Sequence, residues 1–257
     1  MRPKHRAELS TKSTHASIRQ PNEGCVLPKQ PTERDLRELA AYSIVEAAGY
    51  LGLPPSTLRA WSLGQRYRVN GEPRLFRPVI DIADRHQRRL SFINLVEAFV
   101  LAGVRRQHSV PLPKVRKAVE YLRRTFGTKR PLAEERFVTD GVDLFVEKFG
   151  ALIGATQDGQ VQLREVIRDR LKQVTRDPAG IPEKIVLFPA HGEQRSGAVV
   201  IDPRRSFGRP VLDGFGVRAA ALAERFYAGE SMEDLARDYG VPSEAIENAL
   251  RCQPRAA

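Results

Sequence analysis

The 257-residue chain has little cysteine: Cys25 and Cys252, near opposite ends and in polar surroundings, are its only thiols. Two thiols make no disulfide framework. With five scattered histidines, among them His86, His108 and His191, they make no zinc site either. The expected compartment is a reducing cytoplasm. The chain also lacks an apolar run of membrane-spanning length. Its most apolar helix-like stretch, residues 92–104, is short and interrupted by Asn94 and Glu97, so no membrane partner is expected. The first twenty residues are basic, with one acid, and lack the apolar block of a secretory signal. They read as a flexible basic arm or an upstream mis-start, with an organelle-targeting peptide as the alternative. There is no solenoid-type repeat and no low-complexity segment.

Catalytic sets are missing as well. Asp202, Asp213 and Asp234 could be drawn as a carboxylate cluster, but Asp202 before Pro203 reads as a turn residue and Asp234 as a helix N-terminal charge. The stretch from Gly208 to Gly216 lacks the pattern and the lysine of a phosphate loop, and no nucleophile elbow is present. No enzyme, no cofactor and no metal site are expected.

Positive charge is what the chain has in excess, and it is unevenly placed. The formal net charge is +11, yet residues 1–130 hold 25 Lys/Arg against 11 Asp/Glu, while residues 131–257 hold 17 against 20. A polyanion should therefore meet the N-terminal half first.

Periodicity organises the rest into an α+β, mainly helical fold. Residues 1–41 read as the arm and a short helix carrying Leu36 and Leu39 on one face. Residues 42–130 read as a winged helix-turn-helix, 131–196 as a small middle α/β segment, and 197–257 as a three-helix, helix-turn-helix-like module. Residues 90–106 predict a helix through Ile93, Val96, Val100 and Leu101. Residues 112–126 predict another, with Val115, Val119, Leu122 and Phe126 in a stripe and Gly127 closing it. Residues 136–139 and 144–148 predict strands around an Asp140-Gly141 hairpin turn. Residues 151–155 predict another strand, followed by an Asp158-Gly159 turn. Residues 161–174 predict a helix, and 184–188 and 198–201 predict strands.

The sharpest local signal is YSIVEAAGYLGLPPSTLRAW, residues 42–61. Ser43 can cap a helix, Gly52 permits the left-handed bend of a tight turn, and Pro54-Pro55 suits a helix start. In the second helix Leu58 and Trp61 should face inward, with Trp61 a core residue rather than a reader. That leaves Ser56, Thr57, Arg59 and Ala60 on the exposed side, where a helix N-terminus can enter the major groove. Next comes QRYRVNGEPRLFR. Asn70-Gly71 between β-prone segments is a strong hairpin signal, and Arg66, Arg68, Arg74 and Arg77 decorate the hairpin. A basic hairpin after a helix-turn-helix is a wing, placed to grip phosphate backbone or minor groove. The candidate DNA-binding residues are Ser56, Thr57, Arg59, Ala60, Gln65, Arg66, Tyr67, Arg68, Arg74 and Arg77. The alternative is a helix-turn-helix used only for packing or protein contact.

This stretch resembles the winged helix-turn-helix of MerR-like regulators, with Glu46, Ala48, Gly52, Thr57, Leu58, Arg59 and Trp61 in the matching places. The likeness covers about residues 42–126 and implies that Arg59 contacts phosphate and that Trp61 is structural. The long heptad helix and effector-binding cysteines of that family are missing, so metal or drug sensing is not implied.

A second helix-turn-helix shape follows Asp202-Pro203 and Gly208-Arg209-Pro210-Val211. A helix runs over residues 217–228, Ser231 caps the next, Gly240 breaks it, and Pro242 opens the last. From Glu230 to Arg251 six acids face only Arg237 and Arg251, a balance that phosphate would repel. Protein contact or dimerisation is the favoured role there. With Gly229-Glu230-Ser231 and the run from Leu235 to Val241, residues 197–252 resemble a small domain found in VapB-type antitoxins. That resemblance implies a type II antitoxin that binds operator DNA as a homodimer and neutralises a PIN-like ribonuclease toxin. The alternatives are a stand-alone MerR-like transcriptional regulator without a toxin partner, and a protein scaffold that never touches DNA.

Overall fold

In the computed structural model the described residues are 33–69, 72–107, 112–189 and 197–252. The expected N-terminal arm, the Asn70-Gly71 turn and the Arg74 side chain lie outside them. The chain opens with α1 (Glu33–Glu38), β1 (Tyr42–Ser43), α2 (Ile44–Leu51) and α3 (Pro55–Leu63). The hairpin β2 (Gln65–Val69) and β3 (Glu72–Phe76) follows, then β4 (Arg89–Leu90), which pairs antiparallel with β1. α4 (Phe92–Gln107) and α5 (Leu112–Phe126) complete the N-terminal half.

α4 is the hub. The sequence shows one apolar stripe on it, but the fold buries most of its circumference, because α1, α2, α7 (Gln157–Lys172) and β6 (Pro182–Phe188) all pack on it. A helix covered on all sides needs apolar residues all round, and Leu95, Val96, Ala98, Phe99, Val100, Leu101 and Ala102 supply them. Asn94 and Glu97, which interrupt that run, are themselves fully buried.

Residues 136–155 correct the sequence reading. Instead of strands, a π-helical turn (Phe137–Gly141) runs directly into α6 (Val142–Ile153). Asp-Gly is a hairpin signal only when strands flank it. Here Phe137, Val142, Phe145, Val146 and Phe149 recur at helical spacing and are buried, with Phe145 and Phe149 stacked at 5.4 Å. A β-carbon at Gly141 would press on the Phe137 and Phe126 rings, so the glycine serves close packing rather than a turn. Residues 151–153 belong to α6, which Gly154 ends in a left-handed conformation. Asp158 and Gly159 are likewise not a turn. They form the first turn of α7, whose N-cap Thr156 accepts a hydrogen bond from the Gly159 amide.

β5 (Val174–Arg176), β6, β7 (Val199–Ile201) and β8 (Val211–Leu212) make one antiparallel sheet in that order. β6 and β7 pair across the boundary drawn at residue 197, so the middle segment and the C-terminal module share a sheet. The module ends in α8 (Ala219–Tyr227), α9 (Met232–Tyr239) and α10 (Ser243–Arg251). Ser231 caps α9 as expected, and Gly240 turns in the left-handed region at φ 62°. One continuous apolar core runs from Tyr42 to Cys252. The fold is thus α+β and mainly helical. Among the described residues no helix is long and apolar enough to cross a membrane.

Candidate nucleic-acid interface

α2 begins with a reciprocal cap. The Ser43 hydroxyl accepts from the Glu46 amide at 3.2 Å, and the Glu46 carboxylate accepts from the Ser43 amide at 2.9 Å. Together these satisfy two of the amides that a helix start leaves unpaired. Gly52, at φ 61°, then bends the chain into α3. The buried stripe of α3 is Thr57, Leu58, Trp61 and Ser62, which corrects the expectation for Thr57. Thr57 stands beside Leu58 and four residues before Trp61, so it shares their inward face and is only 6% exposed. A side chain in that position cannot reach a base edge. Ser56 and Arg59 remain exposed, and Ala60 is half-buried.

Two devices fix the wing to this helix. A β-carbon at Gly64, which has φ +82°, would overlap the Phe76 carbonyl, so only glycine lets β2 start this close to the end of β3. The Trp61 carbonyl accepts from the amides of Val79 and Ile80 at 2.8 and 3.0 Å, tying the chain beyond the wing to α3. Farther on, Asn94 holds the same connection. Its amide oxygen accepts from the Ala83 amide at 2.9 Å, and its nitrogen donates to the Asp81 carbonyl at 2.9 Å and to Glu97 at 3.3 Å. The second Glu97 carboxyl oxygen is buried without a partner. Burial pushes the Glu97 carboxyl up to about 8.

On the wing, β2 and β3 pair from Gln65↔Phe76 to Val69↔Glu72. Gln65, Arg66, Tyr67, Arg68 and Arg77 are all exposed. No acidic side chain lies within ion-pair distance of Arg59, Arg66, Arg68 or Arg77 among the described residues. Several arginines of the C-terminal half are paired instead. Arg205 pairs with Asp213, Arg225 with Glu230 and Asp238, Arg237 with Asp234, and Arg251 with Glu247. Arg59, Arg66, Arg68 and Arg77 thus place four exposed cations, free of carboxylates, on α3 and the wing, where a polyanion would gain from each.

The sequence reading missed one neighbour of this surface. The Arg116 guanidinium of α5 lies 4.8 Å over the Phe76 ring at the foot of the wing, and Lys117, next on the helix, is exposed. The signal was present in residues 112–126, which carry five basic residues and one acid.

A helix-turn-helix joined to an unpaired basic hairpin defines a DNA-binding class. Comparison agrees: residues 40–119 match the family described as "Putative DNA-binding HTH domain". Residues 199–251 match "Protein of unknown function (DUF433)". Over 237 residues the chain is 32% identical to "Putative antitoxin VapB45" of Mycobacterium tuberculosis, covering 85% of this chain and 96% of that protein. It belongs to the family of that protein, with a helix-turn-helix DNA-binding domain followed by a DUF433 domain. "Uncharacterized protein Rv2308" of the same organism is 27% identical over 222 residues, covering 83% of this chain and 89% of that one. The crystal structure of Rv2018 from Mycobacterium tuberculosis superposes with a TM-score of 0.59 at 27% identity, over 83% of this chain and 98% of that one.

Proposed function

We propose that the chain is the DNA-binding antitoxin of a type II toxin–antitoxin system in the cytoplasm. It binds operator DNA upstream of its own gene and neutralises a PIN-like ribonuclease toxin. The observation that carries this is the set of exposed arginines without acidic partners on α3 and the wing, in a chain whose relative bears the name of an antitoxin. Ser56 at the start of α3, and Ala60 one turn on, face base edges. Arg59, Arg66, Arg68 and Arg77 hold phosphates, with Arg74, Gln65 and Tyr67 completing the wing contacts. One short recognition helix specifies few base pairs, so a homodimer on two half-sites is part of the reading. The acidic surface of α9 and α10 is left for protein, not DNA.

The test is a titration of the full chain against the duplex upstream of its own reading frame at two salt concentrations, with co-purification alongside the product of the adjacent frame. Tight, salt-sensitive binding together with recovery of a nuclease-like partner is the expected result. DNA binding without a partner leaves a stand-alone regulator. Salt-insensitive or absent binding removes the DNA-binding reading.

A further inference from the structure

The segment from Gly208 to Val211 has no task in the proposed function, although its sequence is one of the marks of the C-terminal module. In the fold it lies against the first helix of the DNA reader. The Tyr42 hydroxyl donates to the Gly208 carbonyl at 3.0 Å. The Arg209 guanidinium donates to Glu46 Oε1 at 2.6 Å and to the Tyr50 hydroxyl at 3.3 Å. Tyr42, Glu46 and Tyr50 are four residues apart, so they form one stripe along α2 and the residue just before its cap.

Glu46 is shared. Its Oε2 closes the cap of α2 on the Ser43 amide, while its Oε1 takes Arg209. Partial burial pushes this carboxyl up, but the Ser43 amide and hydroxyl and the Arg209 guanidinium together hold it below the usual carboxylate range. It therefore stays charged. α2 has only eight residues, too few to be stable alone, so its direction is set by whatever grips it. α3 and α4 pack on one side, and residues 208 and 209 grip the other.

We propose that Arg209 is a positioning residue for DNA binding: through Glu46 it sets the direction of α2, and so of the recognition helix α3 packed on it. Arg209 touches no DNA. A contact surface must be held within roughly 0.5 Å to work, and a clamp from the C-terminal module supplies part of that rigidity. The role rests on the DNA-binding reading above. It also gives the C-terminal module a direct mechanical line to the reader.

The test uses the full chain as wild type, Arg209→Gln, Arg209→Lys, Glu46→Gln and the Arg209→Gln/Glu46→Gln double variant. Amide hydrogen exchange without DNA comes first. Arg209→Gln should speed exchange in α2 and leave α9 and α10 unchanged, and Arg209→Lys should restore part of the protection. Unchanged exchange in α2 overturns the proposal whatever DNA does. Fluorescence-anisotropy titration with the labelled upstream duplex comes second. Arg209→Gln should weaken binding about fivefold, or about 1 kcal/mol, with Arg209→Lys recovering part of it. The double variant should be no weaker than the weaker single one, and the salt slope should not change. A slope lower by about one would make Arg209 a phosphate contact and overturn the proposal. Equal affinity in all five proteins would overturn it too. If the wild type fails to bind the duplex, the DNA-binding reading falls and the positioning role with it. The exchange data then show by themselves whether the clamp holds α2.

Discussion

The Tyr42 hydroxyl donates to the carbonyl of Gly208 across 166 residues of sequence, and a β-carbon on Gly208 would overlap that same hydroxyl. Tyr42 is 1% exposed, and burial pushes its hydroxyl well above the usual tyrosine range, so it remains a neutral donor. Gly208 has φ +73°. Gly208→Ala should therefore cost about 2–3 kcal/mol, from left-handed strain and from the displaced ring. Tyr42→Phe alone should cost about 1 kcal/mol. In the double variant the clashing oxygen is gone, so its loss should be smaller than the sum of the two single losses. Denaturant titration of the four proteins measures this, and strict additivity would remove the close approach as the cause.

Arg59→Ala should weaken binding to all duplex sequences alike and reduce the salt slope by about one. Arg59 is exposed and free of carboxylate partners, so its removal costs the fold little. A gel-shift series at several salt concentrations checks both halves. A loss confined to one operator sequence would instead place Arg59 on a base.

Glu97 should make stability fall with rising pH. Its carboxyl titrates near 4.5 when exposed and at about 8 in the fold. Between those values the folded state binds more protons than the unfolded one, so the slope of unfolding free energy with pH is negative. The contribution is complete below about pH 4.5 and is lost as pH rises through about 8. Glu97→Gln should flatten this window, raising stability at alkaline pH and changing little in acid. Unfolding midpoints of both proteins across the range decide it, and parallel pH profiles would contradict the assignment.

Phe207 should be a point of easy stabilisation. Ser206 and Phe207 have φ of 47° and 55°, and the Phe207 ring is 94% exposed. The left-handed conformation costs a residue with a side chain roughly 1–2 kcal/mol, while glycine loses about 0.5–1 kcal/mol in chain entropy. Phe207→Gly should therefore raise stability by about 0.5–1 kcal/mol, since little packing is lost. A lower melting temperature would mean that the ring packs in solution.

Signals carried within a few residues were legible. The Ser43 cap, the Gly52 bend, the wing strands and the bounds of α5 each follow from local spacing and backbone chemistry. Signals with two meanings were not. Asp140-Gly141 and Asp158-Gly159 suit turns and helix starts equally, and only the burial of Phe137, Phe145 and Phe149 on a helical face resolves the first. Thr57 is buried against expectation because the inward stripe of α3 is wider than Leu58 and Trp61 alone suggest.

Composition and periodicity, by themselves, determined a mainly helical chain with a basic reading head and an acidic final helix pair, because net charge and helical spacing are properties of the residues in order. Only the tertiary structure decided which arginines keep their charge unpaired, that Glu97 is shut away from water, and that Arg209 meets Glu46 across 163 residues. Ion pairing and desolvation depend on distance in space, and the packing of the whole core sets those distances.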